Sequence, residues 1–192
     1  MKIKKLESLI KKSKSVAIVE DGGAFWLGNE QAMFPTYFEH MDFNTLMTIF
    51  DLDEEKRESI TEVASALIAR ADTSDECVGE KLLNKIPMRL TWGKPLLGLN
   101  ESMSAKEIFF IDERLLEPVR DVKDGVELYL RRDRIGQPYI AIKSGMLLIG
   151  LIEPERIDEM MLQQLKMLYD LSSDAFKKQP DAPEDPQERL YE

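Results

Sequence analysis

The run from Val126 to Glu153 constrains this chain most. It reads VELYLRR, QPYIAIK and MLLIGLIE, with turn-forming residues at Asp133–Gly136 and at Lys143-Ser144-Gly145 between them. Glycine supplies positive φ and the short polar side chains satisfy turn amides, so three adjacent antiparallel strands are predicted. PYIAIK alternates as a strand does. MLLIGLI does not, which predicts a strand covered on both faces. That apolar run, Met146 to Ile152, is far too short to cross a bilayer as a helix.

Upstream, EIFFI reads as a strand and DERLLEPVRD as a short helix capped by Asp112, with Pro118 near its end, giving β-α-β-β-β. At the other end, Ile3, Leu6 and Ile10 fall on one helical face. SVAIVEDGGAFWLGNEQAMFP then predicts a hairpin at Asp21-Gly22-Gly23 and a second reversal at Gly28-Asn29. The middle reads as helical. Asn44 is placed to cap FNTLMTIFDL, and Asp53 to cap a second helix that carries Glu54 and Glu55 in its first turn. Ile60, Val63, Ala64 and Leu67 would be the buried face of that second helix. Residues 72–105 read as a loop, DTSDECVGE, followed by irregular chain with one strand around Arg89 to Trp92.

Pro154 suits the first turn of a helix over ERIDEMMLQQLKMLYDLSSDAF, whose stripe of Ile157, Met161, Leu165 and Leu168 is widened by Met160 and Leu171. The fold expected is α+β: one domain over 1–178, with antiparallel sheet from N- and C-terminal meanders, central helices and a C-terminal amphipathic helix. Residues 179–192, acidic with Pro180, Pro183 and Pro186, are expected to be an extended, mobile tail.

Candidates for chemistry are few. His40 is the only histidine; beside Glu39 and Asp42 it could serve as a base or metal ligand, but no second ligand or nucleophile stands near it in sequence. Cys77 is the only cysteine, so no intrachain disulfide forms, and its acidic neighbours Asp75 and Glu76 oppose thiolate formation. One Cys and one His cannot build a structural zinc site. DLDEE at 51–55 superficially resembles a calcium loop, yet Lys56 stands where that loop needs glycine. An acid-rich helix N-terminus is the better account of these residues. No phosphate-cradling loop and no Gly-x-Ser-x-Gly is present. No catalytic residue, metal site or cofactor is therefore assigned, and the chain reads as a non-enzyme of reducing, cytoplasmic surroundings, with no secretory signal and no membrane contact.

Net charge is −10, which opposes indiscriminate binding to phosphate backbones. Two basic groups stand out against it: Lys4, Lys5, Lys11 and Lys12 in the first helix, and Arg131, Arg132 and Arg134 at a hairpin end. Either could touch DNA, although runs of charge more often serve as solvated faces or guard sheet edges. Met160, Met161 and Met167 form a candidate partner surface, because methionine packs adaptably; docking of the same stripe on the sheet is the simpler expectation.

Taken together, FWLGNEQAMFP, IFDLDEEKR and FFIDERLLEPV with GQPYIAIKSGMLLIGLIEP resemble small proteins carried by prophages of Gram-positive bacteria, a resemblance that implies no activity. The order strand, short helix, three strands and LIEPERI is also similar to one module of the DNA sliding clamps. That likeness implies a ring of several subunits lined by basic helices, and only Lys4, Lys5, Lys11 and Lys12 supply such a lining here. The function expected is a prophage-type interaction protein acting through protein–protein contacts, as a homo-oligomer or with another protein. A replication accessory contacting DNA through the N-terminal lysines is the first alternative, and a His40- and carboxylate-dependent enzyme the second.

Overall fold

In the computed structural model, residues 2–91, 93–101, 107–122 and 125–177 are described, the side chains of 87–89, 159, 169–170 and 172–177 excepted. The chain divides into two compact units, Met1–Arg156 and Ile157–Glu192. The expected tail, 179–192, lies outside the described residues, as do Met1, Trp92 and 102–106.

The first unit opens with α1 (Ile3–Ser13), β1 (Ser15–Asp21), β2 (Ala24–Gly28) and β3 (Ala32–Thr36). Helix α1 ends because Lys14 takes the left-handed conformation, φ 55°, and returns its N–H to the Ile10 carbonyl at 2.9 Å. The β1–β2 hairpin forms where predicted: Gly22 and Gly23 have φ of 61° and 77°, as a tight turn of matching twist requires. At the next reversal, Asn29 Oδ1 accepts from the N–H groups of Gln31 and Ala32. Gly28 is obligatory there, because a Cβ would lie 1.8 Å from the Ala32 carbonyl oxygen.

Then come α2 (Phe43–Ile49), α3 (Glu54–Glu58), β4 (Thr61–Glu62) and α4 (Ala66–Arg70). Two expectations are corrected here. The cap of α2 is Asp42, whose Oδ1 accepts from Thr45 N–H at 2.7 Å, while Asn44 Oδ1 accepts from Arg57. The predicted second helix is broken into three pieces. Thr61 N–H donates to Lys14 O and Val63 N–H to Val16 O, so the β-branched residues of SITEV extend the sheet beside β1. Ser65 then caps α4 afresh, accepting from Ile68 N–H.

The region read as irregular is two long strands, β5 (Lys81–Thr91) and β6 (Pro95–Asn100), followed by β7 (Ile108–Asp112) and a 3-10 turn, Glu113–Leu116, capped by Asp112 as expected. Last come β8 (Glu127–Arg132), β9 (Pro138–Ser144) and β10 (Leu147–Ile152). The ten strands form one sheet in the order β4-β1-β2-β3-β10-β9-β8-β5-β6-β7, antiparallel except for the β4–β1 pair. The two meanders join where Met33 and Ala32 of β3 pair with Leu151 and Ile152 of β10. β5 bridges two regions. Its first residues pair with β8 and the rest with β6, with a register shift between Lys85 and Arg89, where Pro87 cannot donate to the ladder.

Strand alternation sorts the core onto two faces. On the first, Val16, Leu27, Phe34, Ile140, Ile142, Leu128 and Leu99 pack with Leu6 and Ile10 of α1, Leu46 and Met47 of α2, and Leu115. On the second, Ala17, Trp26, Met33, Tyr139, Ala141 and Leu151 pack with Leu67 and Ile68 of α4. β10 serves both: Leu148 and Leu151 face one cluster, Ile149 and Ile152 the other. Its glycine, Gly150, lies against Phe34, where a Cβ would come within 2.8 Å of the ring.

The second unit is α5 (Glu159–Lys177). It starts after Pro154 rather than at it. Asp158 supplies the cap, its Oδ1 accepting from Met160 N–H at 2.9 Å and Met161 N–H at 3.4 Å.

Candidate functional site

Alternation in β8 and β9 puts Arg131, Tyr139 and Lys143 on the second face, among apolar neighbours. Buried cations need partners, and residues 71–80 provide them by crossing that face as a strap. Arg131 donates from Nε to Glu80 at 2.8 Å, from Nη1 to the carbonyls of Asp72 and Ser74 at 3.0 and 2.8 Å, and from Nη2 to Asp75 O at 3.1 Å. Nη2 also lies 2.6 Å from Glu80 Oε2, so all five guanidinium donors are engaged. Lys143 donates to the other Glu80 oxygen at 2.7 Å and sits 5.1 Å from the centre of the Tyr129 ring. Burial alone would raise the Glu80 carboxyl, but the hydrogen bonds from Lys143 and Arg131 hold it below its ordinary value.

Three more bonds fix the strap. Asp72 N–H donates to the buried Tyr139 hydroxyl at 2.9 Å, Leu148 N–H to Asp75 Oδ1 at 2.7 Å, and Thr73 Oγ1 to Asp21. Leu148 is where β10 loses register with β9, so Asp75 takes up an amide that the ladder leaves free.

A cleft of 810 Å³ lies beside the strap, lined among others by Arg70, Asp72, Cys77, Arg132, Arg134 and Ile135. Its charges largely neutralise one another. Arg70 is 3.0 Å from Asp133 and 3.4 Å from Glu153, and Arg132 donates to Glu107 at 2.6 Å. Burial pushes the Cys77 thiol up, and Asp72 adds to this against the opposing pull of Arg131, so the thiolate is disfavoured, by burial first rather than by the flanking Asp75 and Glu76. Among the described residues no three His, Cys, Asp or Glu side chains are grouped to hold a metal ion.

The residues singled out from sequence are scattered. His40 is exposed, 3.6 Å from Asp42 and edge-on to Phe25. Arg131 is no DNA contact, since it is interior with every donor spent. Lys5 is 3.1 Å from Glu117, Lys11 pairs with Glu7, and Arg132 with Glu107. Lys4, Lys12 and Arg134 are exposed without a carboxylate partner among the described residues. The two basic groups thus form no continuous field of free charge. On α5, Met160 and Met167 are 69% and 65% exposed and Leu171 is 63% exposed, while Met161 is half-buried.

Sequence reading missed Glu80, Tyr139 and the strap. A signal existed: Arg131 shares a face with Tyr129, and Lys143 with Tyr139 and Ala141, in strands covered on both sides. Two cations so placed require an acid from elsewhere in the chain. Among the described residues no helix is long and apolar enough to cross a membrane. Compared with known proteins, the chain matches no family model, no curated protein and no solved structure.

Proposed function

We propose that this chain is a non-enzymatic interaction protein, of the kind the prophage resemblance accommodates, and that α5 is its contact element. One observation carries the reading: Met160, Met167 and Leu171 stand exposed on α5. At 3.6 residues per turn their directions fall within about 40° of one another, so they form one stripe. Each would gain roughly 2 kcal/mol on full burial. Methionine adapts to irregular partner surfaces, which suits the first two positions to this role. With exposed Gln164 between them, the spacing 160, 164, 167, 171 alternates four and three residues, as a two-helix seam does, and a second copy of the chain is the partner this spacing fits.

The first unit supports the same reading. In its 810 Å³ cleft Arg70 and Arg132 are held by acids, and its buried ionic cluster serves to hold the strap. The test is Met160→Glu with Met167→Glu in the full chain. Both side chains are exposed, so unfolding free energy should stay within about 0.5 kcal/mol of wild type. Self-association measured by sedimentation equilibrium should weaken at least about tenfold, the effect of losing roughly 1.4 kcal/mol. Association unchanged by both acids would remove α5 as the contact. A metal- or cofactor-dependent turnover by the pure protein would overturn the non-enzymatic reading.

A further inference from the structure

Among the described residues, Lys85 is a lysine placed on the apolar first face of the sheet and beside a cavity. In β5 it follows the buried Leu83 by two residues, and its register partner in β6 is the fully buried Leu99. Apolar neighbours on both sides would normally mean an apolar residue under cover. Lys85 is instead exposed, and it has no carboxylate partner among the described residues. Neighbouring lysines differ: Lys81 reaches Glu101 at 2.8 Å and Lys94 reaches Glu155.

Beside Lys85 lies a cavity of 250 Å³. Five of its walls are apolar: Leu97, Leu116, Val119, Val126 and Leu128. Leu97, Val119 and Leu128 are buried core residues and make a firm floor. Arg120 and Glu113 also line it, but Arg120 is held by Glu117 at 2.5 Å, so among the described lining residues Lys85 is the cation with donors to spare. The gap has a structural cause. β5 loses register with β6 just after Lys85, and bulged strands characteristically re-aim side chains beside binding sites.

We propose that this cavity binds a small amphipathic monocarboxylate, its carboxylate on Lys85 Nζ and its hydrocarbon on the Leu97–Leu128 floor. A mostly apolar pocket with a few placed polar groups is the usual form of a small-molecule site. At the ~30 Å³ that each water occupies in the liquid, the space holds roughly eight heavy atoms, the size of hexanoate. This proposal is independent of α5 and of what it contacts.

The experiment is an NMR titration of the full-length protein with hexanoate, read on leucine and valine methyl groups. Saturable shifts confined to Leu97, Leu116, Val119, Val126 and Leu128 are expected, with a Kd of about 0.1–1 mM, as eight heavy atoms allow. Lys85→Ala should weaken binding by roughly tenfold or more, the loss of a charge-assisted hydrogen bond, and Lys85→Arg should retain most of it. Leu116→Trp, at the half-buried rim, should abolish it by filling the space. No saturable shift up to about ten times the upper expected Kd would overturn the site. Hexan-1-ol binding as tightly as hexanoate, or hexanoate binding unchanged in Lys85→Ala, would overturn the carboxylate assignment.

Discussion

Arg131 sits where water cannot reach it, and its five donors go to Glu80 and three carbonyls of a strap 56 to 59 residues away in the chain. A buried pair of this kind need not add net stability over an apolar substitute, but removing one partner strands the other charge. Glu80→Gln leaves Arg131 and Lys143 buried against a neutral amide. It should cost about 3–5 kcal/mol, measured by denaturant unfolding. The pH dependence has a definite sign. Because the folded-state value of Glu80 is lowered from 4.5, its stabilisation is complete above that value and is lost as the pH falls through the folded one. The gap between wild type and Glu80→Gln should therefore narrow as the pH drops below about 4.5; a constant gap from neutral to acid would contradict the role assigned to Glu80.

At the scale of elements, turns and caps were legible where one residue decides the geometry. Gly22-Gly23, Asp53, Asp112 and the β8–β9–β10 run all behave as local chemistry predicts. Legibility failed where a long-range partner competed with a local preference. SITEVASALIAR carries helical spacing, yet the free edge of β1 offers Lys14 O and Val16 O to Thr61 and Val63, and the sheet wins. β5 and β6 were hidden for a related reason. Pro87, Pro95 and Gly98 look like breakers, but a register shift absorbs the first, the second opens its strand, and the third lies within β6. The cap of α2 gives a direct check. Asp42→Ala should cost about 1 kcal/mol in a thermal melt, whereas Asn44→Ala should stay within about 0.5 kcal/mol. Equal losses would return the cap to Asn44.

On the scale of the whole molecule, the α+β class was readable because alternation and helical spacing survive at both ends of the chain. The candidate sites were much less so. The strap, the cleft and the Lys85 cavity are each assembled from residues far apart in sequence, and no local spacing announces them. Net charge misled in detail as well: the N-terminal lysines look like a basic patch, but Lys5 and Lys11 are already answered by Glu117 and Glu7. Among the exposed apolar side chains, Met160, Met167 and Leu171 are the ones that line up on one helix, α5. The central claim, that this chain works by associating through that helix, is tested most directly by absolute mass in solution, from light scattering on a size-exclusion column over a concentration series. The account predicts a discrete oligomer of the 22.1 kDa chain that dissociates on dilution. A mass of 22.1 kDa at every concentration would contradict it.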